Sequence, residues 1–195
     1  MSPQTLIFFG RSGCGKGTQA ELLVKYFHRQ DKENRVVYIE TGKKFRDFMQ
    51  EASYTARLTK KIMDAGGLLP EFLPIWIWTD HMIKNLSGHE HLILDGLSRR
   101  PHEAPILDSA LRFYERKKPL VIHIDVSREW SKERLLARGR TDDNKRDIDE
   151  RLAWYDTNVM PTIGYFRSNP FYKVADINGE QSIEKVHEDI LRRLK

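Results

Sequence analysis

A glycine-rich stretch near the start of the chain carries the residue types that bind phosphate groups. It reads GRSGCGKGT, and Gly10, Gly15 and Lys16 match the phosphate-loop pattern of Gly, four residues, Gly and Lys. The next position holds Gly17 where Ser or Thr is expected, and a hydroxyl follows at Thr18. Backbone N–H groups, the N-terminus of the following helix and the lysine would together attract phosphate oxygens. The stretch therefore predicts a phosphate-binding loop, and a glycine-rich helix cap is the simpler alternative.

Acidic and guanidinium side chains elsewhere could complete a site for phosphoryl transfer. Asp95 ends the apolar run HLILD, and a carboxylate at the end of a strand beside a phosphate loop is well placed to hold a hydrated Mg²⁺. The arginines that could contact phosphate are Arg46, Arg99, Arg134, Arg138, Arg140 and Arg151. Guanidinium groups bind phosphate through two parallel hydrogen bonds and stabilise the charge of the transition state. Ordinary surface arginines are the alternative for each of them.

The elements that would position these side chains are short apolar runs separated by longer segments of helical period. The runs are 5–9, 35–39, 91–95, 120–126 and 171–176. Runs that are apolar throughout suit strands buried on both faces, and helices between them imply a parallel sheet. We therefore predict an α/β fold, a phosphate-loop three-layer α/β/α sandwich with a five-stranded parallel sheet. Residues 127–138 and 144–165 are predicted to form two helices.

Composition limits the classes of protein that the chain can be. Its 195 residues fit one domain, 39% of them are hydrophobic, and no run approaches the ~18 apolar residues of a membrane span. The formal charge of +5 suggests a polyanionic partner, but the 33 Lys and Arg are interspersed with 28 acids, so we predict neither nucleic-acid nor membrane binding. The single cysteine, Cys14, and the lack of a visible secretory signal predict a cytoplasmic protein.

Taken in order along the chain, these motifs resemble those of the adenylate kinases, within the nucleoside monophosphate kinases. The resembling segments are GRSGCGKGTQA, ETGKKFR, LILDGLSRR, RLLARGRTDDN, DERLAWY and PTIGYF. The resemblance covers nearly the whole chain. In that family Gly followed by Thr is normal after the lysine, so Gly17 is not a defect. The family's usual Pro in the loop is Ser12 here, and its Phe-Pro before the second arginine is Leu97-Ser98.

The resemblance implies a role for each matching residue. The positions implied to bind ATP are Gly13, Cys14, Gly15, Lys16, Gly17, Thr18, Arg134 and Arg138. The positions implied to bind the monophosphate are Thr41, Gly42, Arg46, Gly96, Arg99, Glu103, Arg140 and Arg151. The residues implied to act on the transferring group, as catalytic residues, are Lys16, Arg99, Arg138, Arg140 and Arg151. Thr18 and Asp95 would hold Mg²⁺ through water, and Asp142 and Asp143 would anchor the lid.

The resemblance also implies how the domain is organised. The expected parts are a core of residues 1–40 and 86–195, a helical insertion that binds the monophosphate at about 41–70, and a minimal lid at about 138–143. Only Gly139 separates Arg138 from Arg140, so water exclusion would depend on the insertion and on the arginine-bearing helices. No Cys or His cluster occurs near the lid, and we expect no zinc there.

Glu103 bears on the identity of the acceptor base. Adenylate kinases usually carry Gln four residues after the arginine that corresponds to Arg99, and its amide reads adenine. An ionised Glu only accepts hydrogen bonds, which suits a base with an N–H donor, such as guanine, hypoxanthine or uracil. The alternatives are that Glu103 faces solvent or that the matching Gln stands elsewhere in the chain.

These observations predict a Mg²⁺-dependent kinase that transfers the γ-phosphoryl group of ATP to a nucleoside monophosphate. AMP is the expected acceptor, and the products would be two ADP. The attacking phosphate oxygen is already anionic, so no general base is needed. A kinase of the same fold that accepts UMP, CMP or GMP is the first alternative, and a nucleotide-binding regulatory protein without turnover is the second. We expect a monomer.

Overall fold

The strands of the protein form one parallel sheet in the order β2-β3-β1-β4-β5. The structure is a computed structural model that describes residues 2–65, 67–138 and 145–194, with the backbone alone for 145–147. The strands are β1 (Thr5–Phe9), β2 (Val36–Glu40), β3 (His91–Asp95), β4 (Leu120–Asp125) and β5 (Lys173–Asn178). The predicted fold class is confirmed; β1 and β3 have the predicted bounds, and the bounds of the other three strands differ from the predicted runs by one or two residues.

Helices connect the strands. They are α1 (Lys16–Gln30), α2 (Thr41–Phe48), α3 (Tyr54–Asp64), α4 (Phe72–Asn85), α5 (Ala104–Phe113), α6 (Arg128–Arg138), α7 (Lys145–Trp154), α8 (Met160–Ser168) and α9 (Ile183–Arg193). A 3₁₀ turn, Pro101–Glu103, precedes α5, and a π turn, Tyr155–Val159, joins α7 to α8. Within the ranges that the structure describes, no helix is both long and apolar enough to cross a membrane.

Helices cover both faces of the sheet, which gives the three layers. On one face, Leu23 of α1 and Ile190 of α9 pack into a buried cluster with residues of β1, β3, β4 and β5. On the other face, Trp78 of α4, Leu107 of α5 and Phe166 of α8 belong to a second buried cluster. Strands β1 and β3 are buried along their whole length. Their runs are therefore apolar without alternation, as expected of strands that are covered on both sides.

The long connection between β2 and β3 forms α2, α3 and α4. A small separate cluster joins these helices, and its buried members are Phe45, Phe48, Ala56, Leu73 and Ile77. The side chain of Ser53 caps the N-terminus of α3 by accepting a backbone N–H bond. At its other end α4 inserts Trp78 and Met82 into the main core. This connection is thus anchored to the sheet through α4, while α2 and α3 pack on a core of their own.

The predicted second helix, 144–165, contains a π turn, and residue 144 lies outside the described residues. After α7, the Met160 N–H donates to the carbonyl of Tyr155, five residues back, which defines the π turn. Pro161 at the start of α8 has no N–H to donate, so the regular ladder of hydrogen bonds cannot continue through it. Among the described residues, 145–168 form one continuous helical run, so the single-helix prediction is confirmed except for its end and for the π turn, which it missed because it gave this proline no weight.

Candidate active site

The loop between β1 and α1 has the backbone of an anion-binding turn. Gly13 and Gly15 have left-handed φ angles of 87° and 96°, a region that side chains disfavour. Gly15 is the N-cap of α1, and the Cys14 N–H donates to the carbonyl of Arg11 at 3.2 Å. The loop therefore presents its glycine-rich backbone at the N-terminus of a 15-residue helix, where a phosphate group binds favourably.

The ammonium group of Lys16 rests on carbonyl groups of its own loop. Its Nζ donates to the carbonyl oxygens of Gly10 at 2.8 Å and Arg11 at 3.0 Å, and it lies 3.7 Å from the Cys14 sulfur. Anionic phosphate oxygens bind an ammonium group more strongly than neutral carbonyl oxygens do. The contacts of Lys16 are therefore ones that a bound phosphate can replace.

Cys14 fills space inside the loop. Its residue is 5% exposed, and burial raises the pKa of its thiol while the nearby Lys16 acts in the opposite direction. A Cβ placed on Gly10 would lie only 2.6 Å from the Cys14 sulfur, so the loop closes tightly around the thiol. A buried thiol with a raised pKa is poorly nucleophilic. Cys14 thus contributes packing to the phosphate loop.

Asp95 ends β3 beside the first turn of α1. Its carboxyl group is buried, burial raises its pKa, and Lys16 lowers it while Glu40 raises it further. The Tyr38 hydroxyl lies 3.4 Å from Asp95 Oδ2. A buried carboxylate whose ionised form is disfavoured gains from a nearby cation, because the cation restores the favourable field for its charge.

The start of α1 leaves room next to this carboxylate. A Cβ placed on Gly17 would lie 3.8 Å from Asp95 Oδ2, an ordinary contact distance, so the first turn of α1 runs directly beside the carboxylate. Thr18 follows on the same first turn and is exposed. The donor set of one carboxylate and one hydroxyl fits a Mg²⁺ that keeps most of its water ligands, since Mg²⁺ prefers oxygen ligands and dehydrates reluctantly.

The predicted acceptor residues gather at the start of α2, directly after β2. The hydroxyl of Thr41 is buried, and among the described residues it has no hydrogen-bond partner. Gly96, with a φ of 76°, follows Asp95 and approaches Thr41, so that a Cβ on the glycine would lie 4.0 Å from the Thr41 Cβ. A buried hydroxyl without a partner is costly. Thr41 is therefore well suited to bind a ligand atom.

Arg46 lies in the last turn of α2 and pairs with an acid that sequence reasoning did not single out. Its Nη2 donates to Glu40 Oε1 at 2.8 Å, and the two side chains are 48% and 28% exposed. A Cβ on Gly42 would lie 3.3 Å from Arg46 Nη1, so the glycine lets the guanidinium lie across the helix. Because this ion pair is exposed to water, it is weak and exchangeable.

Arg99 lies at the rim of the site, between an aromatic ring and a buried acid. Its guanidinium lies over the ring of Trp154 at 4.9 Å, an arrangement that favours a cation. Its backbone N–H donates to Glu103 Oε2 at 2.8 Å. Glu103 is 3% exposed, which excludes the alternative that it faces solvent. The carboxylate of Glu103 therefore holds the backbone from which Arg99 projects.

Charges of both signs surround the Arg99 guanidinium. The surrounding protein desolvates it and lowers its pKa, Asp95 and Glu103 raise that pKa, and Arg151 lowers it, although the residue as a whole remains exposed at the rim. An arginine stays charged under all these influences. The electrostatic coupling also means that these three side chains share one region, although Asp95 ends β3, Arg99 lies in the loop after it, and Arg151 belongs to α7.

The remaining predicted arginines lie on or after α6. Arg134 is exposed, and its guanidinium lies 4.3 Å from the centre of the Trp130 ring, so its other face is available to a flat ligand. Arg138 is the last residue of α6 and is also exposed. Arg140, Asp142 and Asp143 lie outside the described residues, as does most of the predicted lid.

Sequence reasoning did not single out Tyr38, Glu40 or Trp154 as site residues. For the first two a signal existed, because Tyr38 and Glu40 are two apart on β2 and thus share a face of the sheet. The register pairs Glu40 with Asp95, which places these groups beside the phosphate loop. Nothing in the sequence signalled that Trp154 would stack on Arg99, since the two come from distant parts of the chain.

Comparisons with known proteins agree with this arrangement. Residues 8–170 match the family model described as adenylate kinase. The chain is 33% identical over 193 residues to an adenylate kinase of Leptospira biflexa, covering 97% of this chain and 98% of that protein. It is 31% identical over 184 residues to an adenylate kinase of Oenococcus oeni, covering 92% and 93%. An adenylate kinase 1 of Nostoc is 31% identical over 185 residues, covering 95% of both chains.

The family match covers the phosphate loop, the end of β3 and helices α2 to α7, so it includes every described residue discussed above for the site. The relatives match over nearly their full lengths as well as over nearly all of this chain. Both comparisons confirm the resemblance on which the sequence prediction rested. The chain therefore belongs to the adenylate kinase family of nucleoside monophosphate kinases.

Proposed function

We propose that this chain transfers the γ-phosphoryl group of Mg-ATP to AMP and releases two ADP. The observation that carries the proposal is the convergence of Lys16, Asp95 and Arg99 at one edge of the sheet. Lys16 and Arg99 both act electrostatically on the Asp95 carboxyl group, although the three residues come from different elements. Phosphoryl transfer needs this kind of site, because its catalysis is mostly positioning and charge stabilisation.

On the donor side, the backbone of residues 13–18 and the Lys16 ammonium hold the β- and γ-phosphates of ATP. Lys16 exchanges its two carbonyl partners for phosphate oxygens, which is possible because neither partner is charged. Arg134 stacks on the base, and Arg138 and Arg140 contact the transferring group. Asp95 and Thr18 would hold Mg²⁺ through water, and the ion would supply positive charge for the phosphates.

On the acceptor side, Arg46 and Arg99 hold the phosphate of the monophosphate, and Thr41, Gly42 and Gly96 line its path. Arg151 acts on the transferring group from α7. The attacking oxygen of the acceptor is already anionic, so the site needs to orient it and does not need to remove a proton. The Arg46–Glu40 pair opens when the acceptor phosphate arrives, since a phosphate offers two anionic oxygens to the guanidinium.

We extend the proposal to domain organisation and assembly. The core is residues 1–40 and 86–195, the acceptor-binding insertion is about 41–70, and the lid is about 138–143. The separate small core under α2 and α3 supports the insertion as a unit. Because the lid is this short, water is excluded mainly by closure of α2 and α3 over the site. We also propose that the protein is a cytoplasmic monomer.

Glu103 favours a second candidate, acceptors whose bases carry an N–H donor. One of its carboxylate oxygens accepts the Arg99 N–H at 2.8 Å, and the other lies 3.9 Å from an Arg100 nitrogen. A Gln could accept the same backbone bond and still offer an N–H₂ group to adenine, whereas Glu offers acceptors alone. Guanine or uracil therefore fits Glu103 better than adenine does, while the rest of the site fits any monophosphate.

A coupled assay of ADP formation from ATP with AMP, GMP, CMP, UMP or dAMP tests both candidates. We expect turnover with AMP, and we expect the Glu103→Gln variant to raise kcat/KM for AMP relative to GMP and UMP by roughly tenfold, the value of one buried polar mismatch. An unchanged ratio would show that Glu103 does not read the base. Absence of turnover with every acceptor would favour a regulatory nucleotide-binding protein.

A further inference from the structure

Arg11, a residue that the phosphate-loop pattern leaves unspecified, joins the loop to two other parts of the site. Its Nη1 donates to the carbonyl of Val126 at 2.7 Å, beyond the end of β4. Its Nη2 donates to Asp156 Oδ1 at 2.8 Å, and its guanidinium lies 4.8 Å from the centre of the Tyr155 ring. The Arg11 side chain is 19% exposed. These contacts use both ends and one face of the guanidinium.

The surface under Arg11 is held by a chain of polar groups that runs from buried Tyr155 and His123 to exposed Asp176 and Arg167. The Tyr155 hydroxyl and His123 Nε2 are hydrogen-bonded at 2.8 Å, and His123 Nδ1 and Asp176 Oδ1 are hydrogen-bonded at 2.7 Å. Asp176 also pairs with Arg167 of α8. Tyr155 is 1% exposed and His123 is 3% exposed. The ring of Tyr155 is therefore held from β4 and β5 and cannot follow Arg11 if Arg11 moves.

Each end of this connection carries a cation of the proposed mechanism. At one end, Lys16 rests on the carbonyl oxygens of Gly10 and of Arg11 itself. At the other end, Arg151 precedes Tyr155 by four residues, one turn along the same helical segment. The π turn begins at Tyr155, and the first two side chains of the turn are the ones that contact Arg11.

We propose that Arg11 is a positioning residue that fixes the phosphate loop relative to the helix of Arg151, so that Lys16 and Arg151 approach the same phosphoryl group. The inference rests on the roles proposed above for those two cations. Arginine suits the task because its planar group donates in two directions while stacking on a ring. A lysine has a single ammonium group and cannot make all three contacts at once.

Steady-state kinetics of Arg11→Ala and Arg11→Lys test the inference. Because misplacement of charges affects the transition state more than ground-state binding, we expect Arg11→Ala to lower kcat about tenfold and to change KM for ATP and AMP less than about twofold. Arg11→Lys should fall between Arg11→Ala and the wild type. Arg112→Ala is the matched control, since Arg112 also pairs with a carboxylate, that of Asp108, and lies over a ring, that of Phe171, but belongs to α5 and not to the phosphate loop. Its kcat should match that of the wild type.

A double-mutant cycle separates positioning from general loss of packing. Asp156→Asn should lower kcat in the same direction, and Arg11→Ala combined with Asp156→Asn should be no slower than Arg11→Ala alone. An unchanged kcat in Arg11→Ala, additive losses in the double variant, or equal losses in Arg112→Ala would each overturn the inference. If the wild type turns over and Arg11→Ala has the same kcat, this inference alone is rejected. If the wild type shows no turnover with any acceptor, the proposed function is rejected.

Tryptophan fluorescence tests the inference without turnover, and it decides the inference if the wild type is inactive. The fluorescence change of Trp154 on ATP binding, isolated by comparison with Trp154→Phe, should occur in the wild type and be lost in Arg11→Ala. Because Trp154 adjoins Tyr155, it reports whether loop occupancy reaches this segment. A fluorescence change that persists in Arg11→Ala, or that is absent from the wild type, overturns the inference.

Discussion

The two ends of the sheet use cations in opposite ways. At the carboxyl end, Lys16 contacts neutral carbonyl groups and Arg46 forms an exposed ion pair. At the amino end, the 4%-exposed side chain of Arg116 donates to Thr5 Oγ1 at 2.7 Å and to the carbonyl of Glu90 at 2.7 Å. The first set of partners can be exchanged for a ligand, whereas the second holds the strand starts together.

The acids at the amino end also have their hydrogen-bond partners inside the protein. The Glu90 carboxylate is 1% exposed and accepts hydrogen bonds from the Ser87 and Gly88 N–H groups at 3.1 and 3.0 Å. Asp31 accepts from Asn34 and contacts buried His91. Groups that are fully satisfied inside the protein have no capacity left for a ligand. The comparison shows that exchangeable partners, rather than charge alone, distinguish a binding site from a structural network.

Replacing Lys16 should have the largest effect on activity. We expect Lys16→Met to lower kcat by about a hundredfold to a thousandfold, because it removes a cation from the transferring phosphates. The free energy of unfolding, measured with denaturant, should fall much less than in Arg116→Met, since the Lys16 ammonium group donates its hydrogen bonds to neutral loop carbonyls and acts on Asp95 only through its field. A large loss of stability in this variant would show that Lys16 is structural, and the contrast between the two ends would fail.

Replacing Arg116 should show the opposite pattern. Arg116→Met removes two buried hydrogen bonds and leaves the buried Glu90 carboxylate with the exposed Arg35, 4.0 Å away, as its cation, so it should lower the free energy of unfolding by about 3–5 kcal/mol. The activity per folded molecule, measured well below the melting temperature, should stay close to that of the wild type. A selective loss of kcat with unchanged stability would contradict the assignment of this end to structure. Arg112→Met, at an exposed arginine of α5, is the matched control for stability.

Replacing Glu40 tests whether the Arg46 ion pair is exchangeable. Glu40→Gln removes the charge that competes with the acceptor phosphate, so KM for AMP should fall by up to about fivefold, the range of an exposed ion pair. KM for ATP should change little, because Arg46 belongs to the acceptor side. Asp47→Asn, on α2 next to Arg46, serves as the control for a change in overall charge. A rise in KM for AMP would show that Glu40 helps to bind the acceptor.

The smallest expected effect is a pH dependence of stability from the amino end. His91 Nδ1 accepts the Gln4 N–H, so its other nitrogen donates to Asp31 and the ring is neutral. Burial lowers the pKa of His91 below its ordinary 6.5, while Asp31 opposes the shift. Since the folded state prefers the neutral ring, this stabilisation is complete above pH 6.5 and is lost as the pH falls below it.

Hydrogen bonds, chiefly from Asn34, also lower the pKa of Asp31, so a second loss should follow below its ordinary value of 3.8. Thermal unfolding between pH 8 and pH 3 would reveal the first loss, and the onset of the second below pH 3.8, as falls in Tm. His89→Gln, at an exposed histidine of the preceding loop, should leave the first fall unchanged. If His91→Gln retains the full fall between pH 6.5 and pH 5, another group is responsible.

Much of the site was predictable because its residues follow strands directly. Asp95 ends β3 and Lys16 begins α1 after the loop that follows β1, and parallel strands bring their carboxyl ends to one edge whatever the details of packing. The apolar runs likewise predicted the sheet, since strands covered on both faces have no polar side to obscure the pattern. The π turn was not predicted, because its geometry depends on how Pro161 interrupts a longer helix.

The sequence by itself determined the fold class, the family and the position of the phosphate loop, because these depend on local patterns and on the order of motifs. The tertiary structure alone decided which partner each charge has. Arg99 stacks on Trp154 and Arg11 bonds to Asp156, although these partners are distant in the chain. Arg46 pairs with Glu40, which is only six residues away but belongs to a strand rather than to the helix of Arg46. Local patterns carry no information on such contacts, because the partner of a charged side chain depends on which groups the fold brings close to it and on how deeply they are buried.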